Sequence, residues 1–387
     1  MLENSIIETG CASLCKKGEA LCGDNLTLSR DEERTVAVLA DGLGSGVKAN
    51  ILSTLTSTIL HTLMARRLPL DECIDTVAAA LPVCKERRLA YSTFTALDLT
   101  RDRLQLVQFD NPAALLLRGG KALDYRSTVR FVGDKEVHEC SLPLMDGDLI
   151  VLMSDGVTHA GVGKLSPNGW PREEVAAYLE RLDTAQMCAA HIAARVVCAC
   201  QTLYENECDD DTTVFVAKAR PHAPVSIMIG PPERRDDDDK VFRLFFSKSG
   251  KKIVCGGSTA QAVSQYLRRP LTVVEDSGTE LVPDMGRIEG VDLVTEGVLT
   301  LRQALSCCRE FAGDAMSFLR LCEQKDPASR LALLLLEEAT DITIYLGRAV
   351  NEAHAGTEID FPAKLRLVSE LEDVLTALGK NVRVSNC

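Results

Sequence analysis

The sequence lacks several features that define common classes of protein. No apolar run approaches the roughly 18 residues needed to cross a bilayer, and the most apolar stretch, Leu331 to Leu336, is far shorter. The first residues, Met1-Leu2-Glu3-Asn4, lack the charged and then apolar layout of a secretion signal. No long basic stretch occurs, and 43 Lys and Arg against 56 Asp and Glu give a net charge of −13. We therefore expect a cytoplasmic protein that binds neither membranes nor nucleic acid.

The 15 cysteines include no Cys-x-x-Cys pair of the kind that holds structural zinc. Their number is odd and they are scattered along a chain without a secretion signal, so we expect no disulfide framework. We interpret them as reduced, buried, small apolar side chains. None lies in a loop that could cradle a phosphate group, so no cysteine nucleophile is predicted.

The length of 387 residues suggests two or three domains, and a shift in composition near Arg220-Pro221 divides the chain into residues 1–220 and 221–387. In the first part, strand-like and helical segments occur in blocks and do not alternate. This pattern predicts an α+β fold, an α-β-β-α sandwich in which helices flank two antiparallel sheets. The second part predicts a smaller α/β domain that becomes mostly helical from about Leu301.

An apolar stripe at four-residue spacing predicts an amphipathic helix, with members Val47, Ile51, Leu55, Ile59 and Leu63 and with Leu52 and Leu60 widening it. A second helix is expected around Leu70 to Ala80. The stripe either faces the core or couples a partner or the second domain to activity, and the sequence leaves both interpretations open.

The strongest chemical signal is a set of aspartates at the ends of apolar strands. The motifs are Cys22-Gly23-Asp24-Asn25, Asp41-Gly42-Leu43-Gly44-Ser45-Gly46, Ser154-Asp155-Gly156-Val157 and Asp209-Asp210-Asp211-Thr212-Thr213. A carboxylate is a hard oxygen ligand, and a glycine lets its backbone carbonyl approach the same ion. Several such turns at one edge of a sandwich would form an acidic cup that needs Mg²⁺ or Mn²⁺ for stability.

A dinucleotide-binding loop is an alternative interpretation of the glycines in Gly42-x-Gly44-x-Gly46, and it would make the protein a pyridine-nucleotide oxidoreductase. Two features disfavour it. The third glycine arrives one position early, and Asp41 would place a carboxylate beside the pyrophosphate.

In their order and spacing, the aspartate motifs resemble the signatures of metal-dependent serine/threonine protein phosphatases, the PPM family. The bacterial branch typified by stage II sporulation protein E is the most similar, and Tyr91 to Ala96 and Phe109 to Ala113 also resemble it. The resemblance covers roughly residues 5 to 220. It implies hydrolysis of phosphoserine or phosphothreonine by a metal-bridging hydroxide, without a phosphoenzyme.

Carried over to this sequence, the resemblance implies a site for two Mn²⁺ or Mg²⁺ ions. Asp41 would bridge the ions, and the Gly42 carbonyl would bind one of them. Asp155 and Asp210 would complete the shell of the second ion, and Asp24 would hold the first ion or its water. Asp41, Asp155 and Asp210 are the predicted catalytic residues.

Some points stay open at this stage. The choice of Asp210 over Asp209 or Asp211 depends on the alignment of Thr213-Val214. Leu43 stands where many eukaryotic members have a histidine proposed as general acid, and no phosphate-gripping arginine is identifiable. His159, four residues after Asp155, is interpreted as a structural or surface residue.

The second domain contains a strand followed by Gly256-Gly257-Ser258-Thr259 and a helix, which can present backbone N–H groups to an anion. One hypothesis is a nucleotide or phosphorylated metabolite bound at these residues. The alternative, which we favour from sequence, is an ordinary turn with a capped helix, because only two glycines match the fingerprint.

The partners implied by the resemblance are a phosphoprotein substrate, with a phosphoserine on a small regulatory protein as the best candidate, and a homodimer is one candidate assembly. Activity would be regulated by the C-terminal domain or by a partner, because the helix after the Asp-Gly turn is regulatory in this bacterial branch. The competing functional class is a non-catalytic signalling or interaction module that retains the phosphatase fold.

Overall fold

The computed structural model describes residues 5–31, 33–69, 72–74, 76–77, 92–132, 135–232, 238–314, 316–348 and 361–387. The chain forms two compact units, Met1–Pro221 and His222–Cys387. The helix expected around 70–80 lies largely outside the described residues. The functional roles assigned to the two domains stay predictions.

The first unit contains two antiparallel sheets. The six-stranded sheet has the spatial order β2 (Asp24–Arg30), β3 (Arg34–Gly42), β4 (Ser92–Thr100), β5 (Arg103–Phe109), β9 (Lys135–Pro143) and β8 (Thr128–Val132). The five-stranded sheet has the order β1 (Ser5–Leu14), β11 (Thr212–Pro221), β10 (Leu149–Met153), β6 (Leu115–Arg118) and β7 (Lys121–Ala122).

Helices cover the outer face of each sheet. Helix α1 (Gly46–Ala65) packs on the six-stranded sheet, and a short helix α2 (Asp155–Thr158) follows β10. Helices α3 (Arg172–Arg181) and α4 (Ala189–Leu203) lie against the five-stranded sheet.

Strand β3 shows how the layers are held together, because both of its faces are buried. Val36 and Val38 pack with Leu60 of α1, whereas Leu39 packs with Phe215 of the other sheet. The predicted α-β-β-α sandwich is therefore confirmed.

Helix α1 places only part of the predicted apolar stripe in the core. Leu52 and Leu60 are buried, and Ile59 and Leu63 pack against the core, whereas Val47, Ile51 and Leu55 are 62%, 53% and 46% exposed. The buried face also carries small polar residues: the hydroxyl of Thr56 donates to the Leu52 carbonyl at 2.8 Å, and that of Ser57 donates to a side chain of β2. The core-facing interpretation is wrong for these three positions, because the helix approaches the sheet through its smaller side chains. The regulatory interpretation stays a prediction.

The second unit is built on a mainly parallel sheet. Its parallel strands have the order β16 (Leu293–Thr295), β13 (Lys251–Cys255), β12 (Pro224–Ile229), β17 (Asp341–Leu346) and β18 (Asn381–Asn386), and β15 (Met285–Arg287) and β14 (Thr272–Val274) extend it beyond β16 in antiparallel pairing. Its helices are α5 (Asp238–Ser247), α6 (Gly257–Leu267), α7 (Val298–Gly313), α8 (Ser317–Glu323), α9 (Pro327–Leu333), a π-helical turn (Leu334–Glu338) and α10 (Phe361–Ala377).

The sequence predicts a mostly helical segment from about Leu301, but this segment also contains two strands, β17 and β18. In β17, Ile342 and Ile344 are fully buried, and the strand pairs in parallel with β12 on one edge and β18 on the other. Within the described part of the chain, no helix is both long and apolar enough to span a membrane.

Candidate metal centre

Two adjacent strands bring the first pair of predicted aspartates together. In the antiparallel pairing of β2 with β3, Asp24 lies directly opposite Asp41. The Gly42 N–H donates to the Gly23 carbonyl at 3.2 Å, which ties the ends of both strands. Directly opposite residues of an antiparallel pair have Cβ atoms about 5 Å apart, so the two carboxylates belong to one site.

Packing requires a glycine at position 42. A Cβ at this position would lie 2.0 Å from the Ala49 carbonyl oxygen of α1. No other residue type allows the helix to approach the end of β3 so closely. The position of α1 and the position of the Asp41-Gly42 turn are therefore mechanically linked.

The end of β10 and the loop before β11 supply the second pair of predicted aspartates, Asp155 and Asp210. The Ser154 N–H donates to the Thr213 carbonyl at 3.0 Å, and the Thr213 N–H donates to the Ser154 hydroxyl at 2.9 Å. These bonds place Asp155, the first residue of α2, beside the loop that contains Asp210. Tyr204 secures the same turn, since its buried hydroxyl donates to the Gly156 carbonyl at 2.7 Å.

The three consecutive aspartates before β11 have three different environments. Asp209 pairs with the Lys164 ammonium at 2.8 Å. Asp211 is buried and accepts the Lys16 backbone N–H at 3.0 Å. Asp210 alone joins Asp155 and His159, and one ligand atom from each of these three lies within 4.8 Å of the others. This geometry supports Asp210 as the ligand next to Asp155, although its role stays a prediction.

The site concentrates negative charge in a partly dry environment. Burial raises the pKa of Asp24 to about 7, and the nearby charges of Asp211 and Asp155 act in the same direction. Burial also raises the pKa of Asp41 to about 9, with contributions from Asp24 and Asp155. The pKa of Asp210 is raised by burial and by Asp155. Such mutual repulsion between carboxylates is relieved by a cation.

The residues present fit a divalent metal ion. Asp24 is 5% exposed, and its carboxylate oxygens have no hydrogen-bond partner of ordinary geometry among the described residues, although the nearby Ser154 and Thr213 side chains partly offset the rise in its pKa. An ionised, buried and unpaired carboxylate is costly, and hard oxygen donors are the preferred ligands of Mg²⁺ and Mn²⁺. The carboxylates of Asp24, Asp41, Asp155 and Asp210 would hold the ions.

An open cavity of about 1050 Å³ begins beside Asp155 and contains residues that the sequence analysis missed. Its lining includes Thr93, Asn111 and Arg172. Thr93 lies opposite Asp41 in the strand pairing and donates to the Asn111 amide oxygen at 2.5 Å. The sequence did contain a signal for Asn111, because Asp110-Asn111-Pro112 belongs to a segment that resembles the phosphatase branch.

Arg172 is the arginine of this cavity, at the start of α3. Its guanidinium donates to the carbonyls of Ala113 and Ala114 at 2.9 and 3.0 Å. No sequence motif marks it, because it is brought to the cavity by the packing of α3 and not by a local turn. His159 is more than half exposed, and its Nδ1 lies 3.7 Å from an Asp155 oxygen.

The dinucleotide-binding alternative is wrong for the glycines after β3. That fold requires a parallel strand–helix–strand unit, whereas β3 pairs antiparallel with both β2 and β4. The Gly42 to Gly46 loop thus belongs to an antiparallel sandwich with an acidic, metal-type edge. This combination defines a domain of the metal-dependent phosphatase class.

Comparison with known proteins finds a match to one family. Residues 31–220 match the family model described as Stage II sporulation protein E (SpoIIE). Stage II sporulation protein E of Bacillus subtilis (strain 168) is 23% identical over 157 residues, which are 39% of this chain and 19% of that protein. The phosphoserine phosphatase RsbX of the same organism is 42% identical over 48 residues, 12% of this chain and 24% of that protein. The matches therefore span about a fifth to a quarter of these relatives' length.

The chain is also similar to several solved structures of phosphatases. The PP2C phosphatase domain of B. subtilis SpoIIE, solved with a fragment of its regulatory domain, is 20% identical and has a TM-score of 0.49, with 57% of this chain and 65% of that chain covered. RsbX in complex with magnesium is 17% identical, with a TM-score of 0.40 over 55% and 95% of the two chains. The serine/threonine phosphatase PstP, with two manganese ions, is 18% identical, with a TM-score of 0.40 over 56% and 99%.

Proposed function

We propose that the protein is a Mn²⁺- or Mg²⁺-dependent protein phosphatase that hydrolyses phosphoserine or phosphothreonine. The observation that carries the proposal is the convergence of Asp24, Asp41, Asp155 and Asp210, whose charges interact and whose most buried member has no hydrogen-bond partner of ordinary geometry among the described residues. Four carboxylates whose charges repel one another at one edge are unfavourable unless cations bind there.

Two ions are proposed, held as the family resemblance implies. Asp41 would contact both ions, with Asp155 and Asp210 on one side and Asp24 and the Gly42 carbonyl on the other. When bound, the ions supply Lewis acidity, which activates water and offsets the negative charge of the phosphoryl group.

The remaining residues of the site orient the substrate and the ligands. The cavity beside Asp155 has a volume of about 1050 Å³, and Arg172 places one positive charge in a lining that is otherwise acidic, with Asp110, Asp124, Glu136 and Glu173. Tyr204 and Ser154 fix the turns that carry Asp155 and Asp210 through the hydrogen bonds described above. Because these turns are preset, little reorganisation is needed when substrate binds.

The proposed substrate is a phosphoserine on a small regulatory protein, and the family relationship to the phosphoserine phosphatase RsbX supports it. Regulation is proposed to act through α1. Its exposed residues Val47, Ile51 and Leu55 offer a docking surface for a partner, such as a second copy in a homodimer. A shift of α1 would move the Asp41-Gly42 turn, because Gly42 touches its backbone. A nucleotide or phosphorylated metabolite bound by the second unit would be a further input.

The test is release of phosphate from an aryl phosphate and from a phosphoserine peptide, with and without Mn²⁺. Wild type is compared with Asp155→Ala and with Asp146→Ala, an exposed aspartate outside the site. We expect metal-dependent turnover in wild type and Asp146→Ala, and a loss of about a hundredfold or more in Asp155→Ala, since a ligand for charge-stabilising ions is removed.

Metal binding measured by calorimetry separates the alternatives if wild type is inactive. Binding without turnover would mean that the active form needs a partner or ligand to assemble. Absence of both binding and turnover would refute the phosphatase and favour the non-catalytic signalling module.

A further inference from the structure

The parallel sheet of the second unit has a reversal of strand order at β12. The chain passes from β12 to β13 and β16 on one side, then returns to β17 and β18 on the other. In open α/β sheets, ligands bind outside the carboxyl ends of the strands, at the point where the order reverses. In this unit that point lies between β12 and β17.

Among the described residues, a glycine follows each of four neighbouring strands at once or within two residues: Gly230 after β12, Gly256 after β13, Gly297 after β16 and Gly347 after β17. Gly347 has no room for a side chain, because its Cβ would lie 2.1 Å from the Pro231 carbonyl oxygen. These glycines form the floor of the strand ends. Gly230 and Gly347 are buried, whereas Gly256 and Gly297 are partly exposed, so a ligand can approach the backbone closely at the ends of β13 and β16.

A lysine lies above this floor at the reversal point. Lys364, in the first turn of α10, has its Nζ 3.0 Å from the position that a Cβ on Gly230 would occupy. The ammonium is half-buried, and burial lowers its pKa. Among the residues that the structure describes, no carboxylate forms an ion pair with it. A desolvated cation without a partner is unfavourable unless an anion binds beside it.

The start of α6 adds hydrogen-bond donors on the neighbouring strand. No side chain caps this eleven-residue helix, and its first turn has no acidic residue. Thr259, in that turn, is completely buried, and its hydroxyl has no partner among the described residues. The hydroxyl faces the strand end, 3.0 Å from the position that a Cβ on Gly256 would occupy. By contrast, the start of α7 is already satisfied, since the Leu299 N–H donates to the Glu296 carboxylate at 3.1 Å.

We propose that this edge binds the phosphate group of a small phosphorylated molecule. Lys364 supplies the charge, and the first N–H groups of α6 and the Thr259 hydroxyl supply hydrogen bonds. The Gly230 N–H donates to the Cys255 carbonyl at 3.4 Å, so the two strand ends are adjacent. Neighbouring strands are about 4.8 Å apart, a span that one phosphate or a diphosphate can bridge. This proposal concerns the second unit alone and does not depend on the activity of the first.

The experiment measures binding by isothermal titration calorimetry with the full chain in EDTA, which removes metal-dependent binding to the first unit. The probes are inorganic phosphate, AMP, ADP and ribose 5-phosphate, which distinguish a nucleotide from a sugar phosphate or free phosphate. Lys364→Gln is compared with Lys248→Gln, a matched change at an exposed lysine before β13, at the opposite edge of the sheet.

We expect wild type and Lys248→Gln to bind at least one probe with equal affinity. Lys364→Gln should bind the same probe at least about tenfold more weakly, because a charged hydrogen bond is lost. Thr259→Val provides a second, independent test. It should weaken the same probe while leaving the melting temperature of the ligand-free protein unchanged or higher, because a buried unpaired hydroxyl is removed. Absence of binding by every probe at millimolar concentration, or equal binding by wild type, Lys364→Gln and Thr259→Val, would overturn the proposal.

Discussion

Asp24 should destabilise the metal-free protein, so its replacement with asparagine should increase stability. The carboxyl is 5% exposed, and burial raises its pKa from 3.8 to about 7. A carboxyl whose pKa is raised in the folded state imposes no penalty below its unfolded pKa of 3.8, and the penalty grows as the pH rises from there to its folded pKa of about 7. The penalty is thus nearly absent at pH 4 and complete above pH 7.

The magnitude follows from the size of the shift. One pKa unit is worth about 1.4 kcal/mol, so a shift from 3.8 to about 7 lowers the free energy of unfolding by roughly 4 kcal/mol at pH 8 and by roughly 1–2 kcal/mol at pH 5. Asparagine removes the charge, but its buried amide without partners costs about 1–3 kcal/mol. The net expectation for Asp24→Asn without metal is a gain of about 1–3 kcal/mol at pH 8 and little or no gain at pH 5.

Urea unfolding followed by tryptophan fluorescence is the appropriate assay. Trp170 is the single tryptophan of the chain and is buried in the first unit, so its signal reports on the unit that holds Asp24. Asp146→Asn, at an exposed position, serves as the control and should change the free energy of unfolding by less than about 0.5 kcal/mol.

Manganese should reverse the order of stability. Wild type gains stability from metal binding, whereas Asp24→Asn gains less because a ligand is missing. The reasoning is refuted if Asp24→Asn is less stable than wild type at pH 8 in EDTA, or if the difference does not shrink towards pH 5.

Three other substitutions test the links around the site. In Gly42→Ala, the new Cβ would lie 2.0 Å from the Ala49 carbonyl oxygen, so α1 must move. We expect the free energy of unfolding in urea to fall by about 2–3 kcal/mol and Mn²⁺ to bind more weakly. Unchanged values would contradict the steric link between Gly42 and α1. Tyr204→Phe leaves the buried Gly156 carbonyl without its 2.7 Å hydrogen bond; we expect a loss of about 1–3 kcal/mol, and full stability would show that water replaces the hydroxyl. His159→Asn should change kcat by less than about fivefold and leave its pH profile unchanged, because activated water needs no histidine base. A larger loss of kcat, with a change on the acidic side of the pH profile, would identify a catalytic histidine.

The parts of the site that sequence predicts well depend on short-range signals. Asp41 and Asp155 each follow an apolar strand directly and precede a glycine, so strand, turn and ligand are specified within a few residues. The α-β-β-α sandwich follows from the same blocks of strands and helices. The family resemblance predicts that these turns, which are far apart in the chain, lie together in one site.

The parts that sequence does not predict depend on packing. Three consecutive aspartates carry the same local signal, and only the fold gives Asp209 a lysine partner and Asp211 a backbone partner. The orientation of α1 depends on close contact through Ser57 and its neighbours, so Val47, Ile51 and Leu55 of the apolar stripe are exposed while Leu60 is buried. Arg172 reaches the cavity only because α3 lies against the five-stranded sheet.

The pairing of β1 with β11 has a consequence for how the protein is made. Ser5 lies opposite Pro221 and Leu14 opposite Thr212, so the five-stranded sheet joins the beginning and the end of its unit. A ribosome releases the chain from its N-terminus, and Asp24 and Asp41 therefore emerge long before Asp210. A nascent chain that stops before β11 cannot close this sheet or bring the last aspartate to the others. The acidic edge thus forms only at the final step of synthesis of the first unit, which keeps an incomplete domain from acquiring the full set of four carboxylates.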